Sequence, residues 1–339
     1  MFGYRTPRTP AGTMDEEPLS WGHITCDGTV ANLESIWVAQ YLKFYPLALH
    51  QAINEENLQI IKGKFEVETC KDGKKRSATL ETWDLLNLKP KTVLDLPNLL
   101  YEQYDISSDF LKDAFDPYNI QSSGLVPEKT DEFYKSLKPT KFILSKTRHY
   151  SWPKGLATSG LGSANLLEVD VDDDVHIDIK ELDDKLKKCK ESQTPVYAVV
   201  AIIGSTEKGA VDRLSEILKV REKWQKEGLS FLVHADAAWG GCFATMLHQD
   251  LERGRPTLGD SDKDSVPALT LRRETEDDLL ELQNADSITV DPHKAGYVPY
   301  PAGSLVYKDG RMRYLVTWSS PYLSQGSSED IGVYDVEGR

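Results

Sequence analysis

Cysteine is scarce in this chain: four residues among 339, at Cys26, Cys70, Cys189 and Cys242. None belongs to a CxxC pair and none has the spacing of a disulfide framework, so a bridge-stapled scaffold is excluded. The pattern suits a reducing compartment, and a cytoplasmic protein is expected. Long hydrophobic runs are missing too; no apolar stretch approaches the roughly 20 residues that span a bilayer. Positive charge is in deficit, with 40 Lys and Arg against 54 Asp and Glu and a formal net charge of −14. Nucleic acid and anionic membrane would be repelled by that charge, and neither is expected as a partner. Residues 1–14 carry Arg5 and Arg8 but no apolar core of a secretory signal.

What is present reads as a protein with a real core. Hydrophobic residues make up 40% and charged residues 28%, ordinary values for a folded domain. The length allows one large α/β domain and part of a smaller one. Residues 1–20, rich in Pro, Thr and Gly, read as an arm or a poorly ordered tail. Beyond Gly28-Thr29, the apolar residues Leu33, Ile36, Trp37, Leu42 and Leu47 recur near the helical period. They predict a long helix from Val30 to about Ile53. Residues 54–140 read as helices and loops in no assignable order.

The middle of the chain alternates. Strands are expected at Lys141–Ser145, Val196–Ile203, Phe231–His234, Ser287–Val290 and Ser304–Tyr307, with helices at Lys180–Glu191 and about Ser215–Glu227. An acidic insert at about 248–286 reads as a solvated loop and helix. Buried strands alternating with amphipathic helices predict a layered α/β/α fold on a largely parallel sheet.

Ligands of such sheets sit outside the carboxyl ends of the strands. Three expected strand tips carry polar groups: His234-Ala-Asp236-Ala-Ala-Trp-Gly-Gly241, Asp291-Pro-His293-Lys294 and Gly204-Ser205-Thr206. Asp27-Gly28-Thr29, before the long helix, is a fourth place. A pyridoxal-phosphate (PLP) site demands an amine for a Schiff base, a carboxylate for the pyridine nitrogen, N–H donors for a phosphate and a flat group to stack. Lys294, following an apolar strand and expected to be partly desolvated, is the candidate amine. Asp236 is the candidate carboxylate, with the small Ala237 and Ala238 leaving room for a ring. Gly28 and Thr29 could hold phosphate, His149 could stack, and Ser205 or Thr206 could bond the phenolic oxygen. Each has a plainer reading alone: a helix cap, a structural histidine, a loop cap. The combination is what carries weight.

At His234-Ala-Asp236-Ala-Ala, Asp291-Pro-His293-Lys294 and Gly28-Thr29-Val30-Ala-Asn32 the chain resembles the group II PLP-dependent decarboxylases. Trp21-Gly-His-Ile, Trp83-Asp-Leu-Leu-Asn87, His149-Tyr-Ser-Trp152 and the stretch from Ser287 to Tyr300 resemble the bacterial-type L-tyrosine decarboxylases in particular. The resemblance runs from about Trp21 to Glu337. It implies the aspartate-aminotransferase-like fold (fold type I) with a mostly parallel seven-stranded sheet, working as a homodimer. It implies PLP bound to Lys294, with Asp236 on the pyridine nitrogen, His149 stacked, Gly28, Thr29 and His293 on the phosphate, and Ser205 or Thr206 on the oxygen side near Ala238. Tyr300 resembles a tyrosine near the substrate. The implied reaction is decarboxylation of an aromatic L-amino acid, tyrosine to tyramine first, with glutamate as the rival substrate.

Family chains are longer at both ends. Residues 21–310 would then be the cofactor domain, residues 311–339 the start of a small domain cut short, and Pro10–Glu17 a remnant of upstream sequence. Trp239 stands where relatives usually carry Tyr. Two other readings compete: a shortened homologue that does no chemistry or serves as a partner subunit, and a metal enzyme using His234, Asp236, Asp291 and His293. The metal reading leaves Lys294 and Gly28-Thr29 without a role, and no metal is expected.

Overall fold

The β-branched run after Pro195 is the spine of the sheet. A computed structural model describes residues 1–7, 17–55, 57–71, 73–124, 137–247 and 271–317. Its strands are β1 (Trp21–Thr25), β2 (Glu66–Thr69), β3 (Gly73–Arg76), β4 (Lys141–Ser145), β5 (Leu166–Val169), β6 (Val196–Ile202), β7 (Leu232–Asp236), β8 (Ser287–Val290) and β9 (Gly303–Tyr307). Seven of them form one sheet in the order β1-β9-β8-β7-β6-β4-β5, and β2 and β3 pair separately. The five strands from β5 to β8 run parallel. At the other edge β9 is antiparallel to both β8 and β1. The fold is a three-layer α/β/α sandwich of fold type I, as expected.

Side-chain alternation makes the layers. In β4, Phe142 and Leu144 face one core while Ile143 faces the other, the period-two signature of a strand buried on both sides. The first core takes the long helix α1 (Asp27–Glu55), α2 (Pro90–Tyr104), α3 (Ser108–Phe115) and α4 (Ser151–Thr158). The second takes α5 (Ile179–Glu191), α6 (Leu214–Lys226) and α7 (Arg273–Leu280). Helix α5 starts where the Asp178 side chain accepts from the Lys180 and Glu181 N–H groups, a standard N-cap. Buried Asp212 ties the layers: its carboxylate accepts from the N–H of Ile177 and of Ile202, each at 2.7 Å.

Three regions depart from expectation. The start of the chain is held in place, because Tyr4 is buried and its hydroxyl donates to the Ala285 carbonyl at 2.8 Å. Residues 8–16, which include most of the expected remnant at Pro10–Glu17, lie outside the described residues. The stretch 54–140 contains the β2–β3 hairpin, which its short, charged strands hid from the periodicity. Of the acidic insert, residues 248–270 lie outside the described residues, but its end is part of the fold. Leu279 and Leu282 are buried in the second core, and buried Asp278 accepts from the Ser215 N–H at 3.0 Å. Past β9, Met312 and Val316 pack into the first core; residues 318–339 lie outside the described residues.

Candidate active site

Parallel strands aim their carboxyl ends at one side of the sheet, and the expected polar groups meet there. A pocket of about 160 Å³ is lined by Gly28, Thr29, His149, Ser205, Thr206, Asp236, Ala238, His293 and Lys294, joined by Asp27, Asn32 and Asp291. Asp236 ends β7, Lys294 follows β8, Ser205 and Thr206 follow β6, and His149 follows β4. Gly28 and Thr29 open α1. Tyr300 is not brought in: it is exposed and does not line the pocket. A larger apolar cleft of about 610 Å³ lies among Tyr41, Tyr45, Pro97, Leu111, Phe115 and Tyr314. It gathers no comparable set of ionisable groups.

Asp236 is buried and fixed from behind. Its Oδ2 accepts from the Trp152 indole N–H at 2.8 Å and from the Asn32 amide at 3.1 Å. Its Oδ1 has only the long contact of 3.4 Å from the Ala238 N–H, so one oxygen keeps capacity to accept. Asn32 also donates to Ser151 Oγ at 3.0 Å, and that hydroxyl lies 2.9 Å from His149 Nδ1. One chain of contacts therefore sets both Asp236 and His149. Burial pushes the His149 imidazole below its usual range, with the Asp236 carboxylate opposing that shift.

Lys294 differs in part from expectation. Its side chain is about a third exposed, and Nζ lies 2.9 Å from Asp291 Oδ2. The amine is therefore ion-paired rather than simply desolvated. Among the described residues, neither buried oxygen of Asp291 has any other polar partner. Burial raises the Asp291 carboxyl above its usual range, and the Lys294 amine opposes this. Asp291 also explains Gly28: a Cβ there would stand 2.6 Å from both carboxylate oxygens. His293 is oriented by its Nδ1, 2.8 Å from the Ala302 carbonyl, which leaves Nε2 3.4 Å from Asp27 Oδ1. Ser205 is buried, and its hydroxyl accepts from the Ala210 N–H at 3.1 Å.

The four-residue metal reading does not assemble. His234 turns into the sheet, with Nδ1 2.8 Å from Ser287 Oγ and Nε2 3.3 Å from Thr289 Oγ1. Burial pushes its pKa down to about 4. Asp27, Asp291 and His293 do approach within 4.8 Å of one another, but Lys294 already neutralises the buried member. Sequence reasoning missed Asn32, Ser151 and Trp152 as supports. The available signal was general: a carboxylate at a buried strand tip requires donors, and these three lie in the neighbouring polar motifs.

The family described as "Pyridoxal-dependent decarboxylase conserved domain" matches residues 132–257. That span includes His149, Ser205, Thr206, Asp236 and Ala238, while Gly28 and Lys294 lie outside it. Over 94% of its length the chain is 31% identical to an L-tyrosine decarboxylase of Levilactobacillus brevis and 30% identical to one of Enterococcus faecium. Residues 132–257 thus carry a pyridoxal-dependent decarboxylase domain. Over nearly its whole length the chain is similar to the bacterial L-tyrosine decarboxylases. It spans just under half of these curated relatives, 46% and 47%. A crystal structure of mouse CSAD in apo form overlays with a TM-score of 0.51 at 18% identity, covering 93% of this chain and 42% of that one. This decarboxylase-family fold is thus shared well beyond the range of close sequence identity.

Proposed function

We propose that the chain is the cofactor-binding part of a PLP-dependent amino-acid decarboxylase, with L-tyrosine or a related aromatic amino acid as substrate. One observation carries the reading: an amine and a buried carboxylate, on the tips of adjacent strands, line a single pocket. The residues fit the group. Asp236 has an oxygen in reserve, Ala238 is small, and the Gly28 N–H stands at the start of a long helix, where an anion is favoured. When bound, PLP supplies the electron sink for the pair left on Cα as carbon dioxide departs.

The chain's own residues do the rest. Lys294 would supply the amine that holds the cofactor and is exchanged for the substrate's own. Asp236, braced by Trp152 and Asn32, would face the pyridine nitrogen and favour its protonated form. His149 would stack on the ring. Gly28, Thr29 and His293 would hold the phosphate, and Ser205 or Thr206 would face the phenolic oxygen. Tyr300, exposed and outside the pocket lining in this structure, has only the family resemblance to support a part in proton return at Cα. We keep residues 1–20 as an arm and residues from 21 onward as the cofactor domain, which extends past residue 310 because Met312 and Val316 pack into its first core. A homodimer is proposed, supported by the exposed rings of Tyr150 and Trp239 at the pocket. A cytoplasmic location is supported by four free thiols.

The test is to purify the chain with PLP, record its spectrum and supply tyrosine, phenylalanine, DOPA and glutamate separately. A band near the visible edge, lost in Lys294→Ala, with tyramine and carbon dioxide released from tyrosine, is expected. A Lys294→Ala protein that kept the band would overturn the lysine assignment. Release from glutamate alone would overturn the substrate.

A further inference from the structure

The position reserved above for a phosphate is already partly filled by a carboxylate of the chain itself. Asp27, the first residue of α1, sits in the left-handed region with φ +74°. Its own Oδ1 accepts from the Gly28 N–H at 2.9 Å. The same oxygen lies 3.4 Å from His293 Nε2. Two of the groups assigned to phosphate are thus engaged by one acid side chain.

The backbone around Asp27 is locked in this arrangement. Thr25 Oγ1 donates to the Asp27 carbonyl at 3.0 Å. Gly303 packs so closely that a Cβ there would meet the Asp27 carbonyl carbon at 2.3 Å. On the other side of Gly28 stands the buried Asp291 carboxylate. An aspartate at a helix N-terminus is favoured by the same dipole that would attract phosphate, so the two anions compete for one place.

We propose that Asp27 is a built-in competitor for the cofactor's phosphate. It weakens PLP binding and reduces the preference for PLP over unphosphorylated pyridoxal. The argument rests on the PLP reading above. An incoming phosphate must first displace the carboxylate from the Gly28 N–H. It then remains beside a negative charge that cannot go far, because the residue carrying it is fixed. The Asp27 side chain is about half exposed, so solvent screening limits the effect but does not remove it.

Titration of wild type, Asp27→Asn and Asp27→Gly with PLP and with pyridoxal, followed at the Lys294-dependent absorbance band, tests this. Asn tolerates the left-handed backbone and keeps the cap while losing the charge; Gly relieves the backbone and empties the site. Circular dichroism of each variant establishes that it is folded. Expected is a PLP dissociation constant lower by about tenfold in Asp27→Asn and at least as low in Asp27→Gly, on the scale of a displaced charge–dipole contact plus a neighbouring charge. Pyridoxal binding should move by less than about twofold. Inorganic phosphate should also compete with PLP more strongly in the variants. Unchanged or weaker PLP binding in both variants, with the band present, would overturn the competitor role and leave the cofactor reading standing. A band absent from all three proteins would overturn both. Equal gains for PLP and pyridoxal would show that the phosphate is not what Asp27 opposes, and the proposal would fail.

Discussion

Asp236 acquires its orientation from two side chains that precede it by 84 and 204 positions, Trp152 and Asn32. The Trp152 ring is fully buried, and its N–H is committed to the Asp236 carboxylate. Trp152→Phe keeps most of the packing and removes that donor. It is expected to cost about 1.5–3 kcal/mol, the worth of a buried hydrogen bond to a charged group, and to weaken PLP binding several-fold. Denaturant unfolding and a cofactor titration measure the two effects. If neither moves, Asn32 alone holds the carboxylate. The roles of Lys294 and Asp236 were legible as residue types at strand tips. The brace was not, because a hydrogen bond across 204 positions leaves no local pattern.

Helix α1 was the most legible element, since apolar residues recur near the helical period along most of its 29 residues. Its interior also holds a residue that pattern reading would place outside. Lys43 is buried and donates from Nζ to the Ser230 carbonyl at 2.7 Å. Burial pushes its pKa down from 10.5 to about 7. Between those two values the unfolded chain binds more protons than the folded one, so stability rises with pH across that window. Below about pH 7 the full cost of the buried ammonium is present. Lys43→Met is therefore expected to stabilise the protein by on the order of 2 kcal/mol at pH 6, with the gain shrinking toward pH 10. Thermal unfolding at several pH values checks it, and a gain that does not vary with pH would exclude Lys43 titration as its source. The β2–β3 hairpin shows the opposite limit: strands of four residues are too short for period two to stand out.

The pocket draws its walls from α1 and from the loops after β4, β6, β7 and β8, so a ligand in it joins distant parts of the chain. Binding to the folded state alone should stabilise the whole molecule by mass action, by about 2.7 kcal/mol at a ligand concentration 100 times the dissociation constant. For a domain of this size that is a rise of roughly 5 °C in Tm. Calorimetry with and without PLP measures it. Lys294→Ala should show a smaller rise, because the covalent part of binding is lost while the phosphate and stacking contacts remain. An equal rise in both proteins would place Lys294 outside the binding energy.

The sequence by itself determined the layer order of the sheet's core and the residue types at its strand tips. Both are written in short-range patterns: alternation in the strands, helical periodicity between them, small and ionisable residues where strands end. Only the tertiary structure decided that Lys294 lies against Asp291, that Trp152 and Asn32 stand behind Asp236, and that Asp27 turns onto the first N–H of its helix. These depend on which strand neighbours which and on how closely glycine backbones approach. Such distances are set when non-local segments pack together, and no spacing along the chain encodes them.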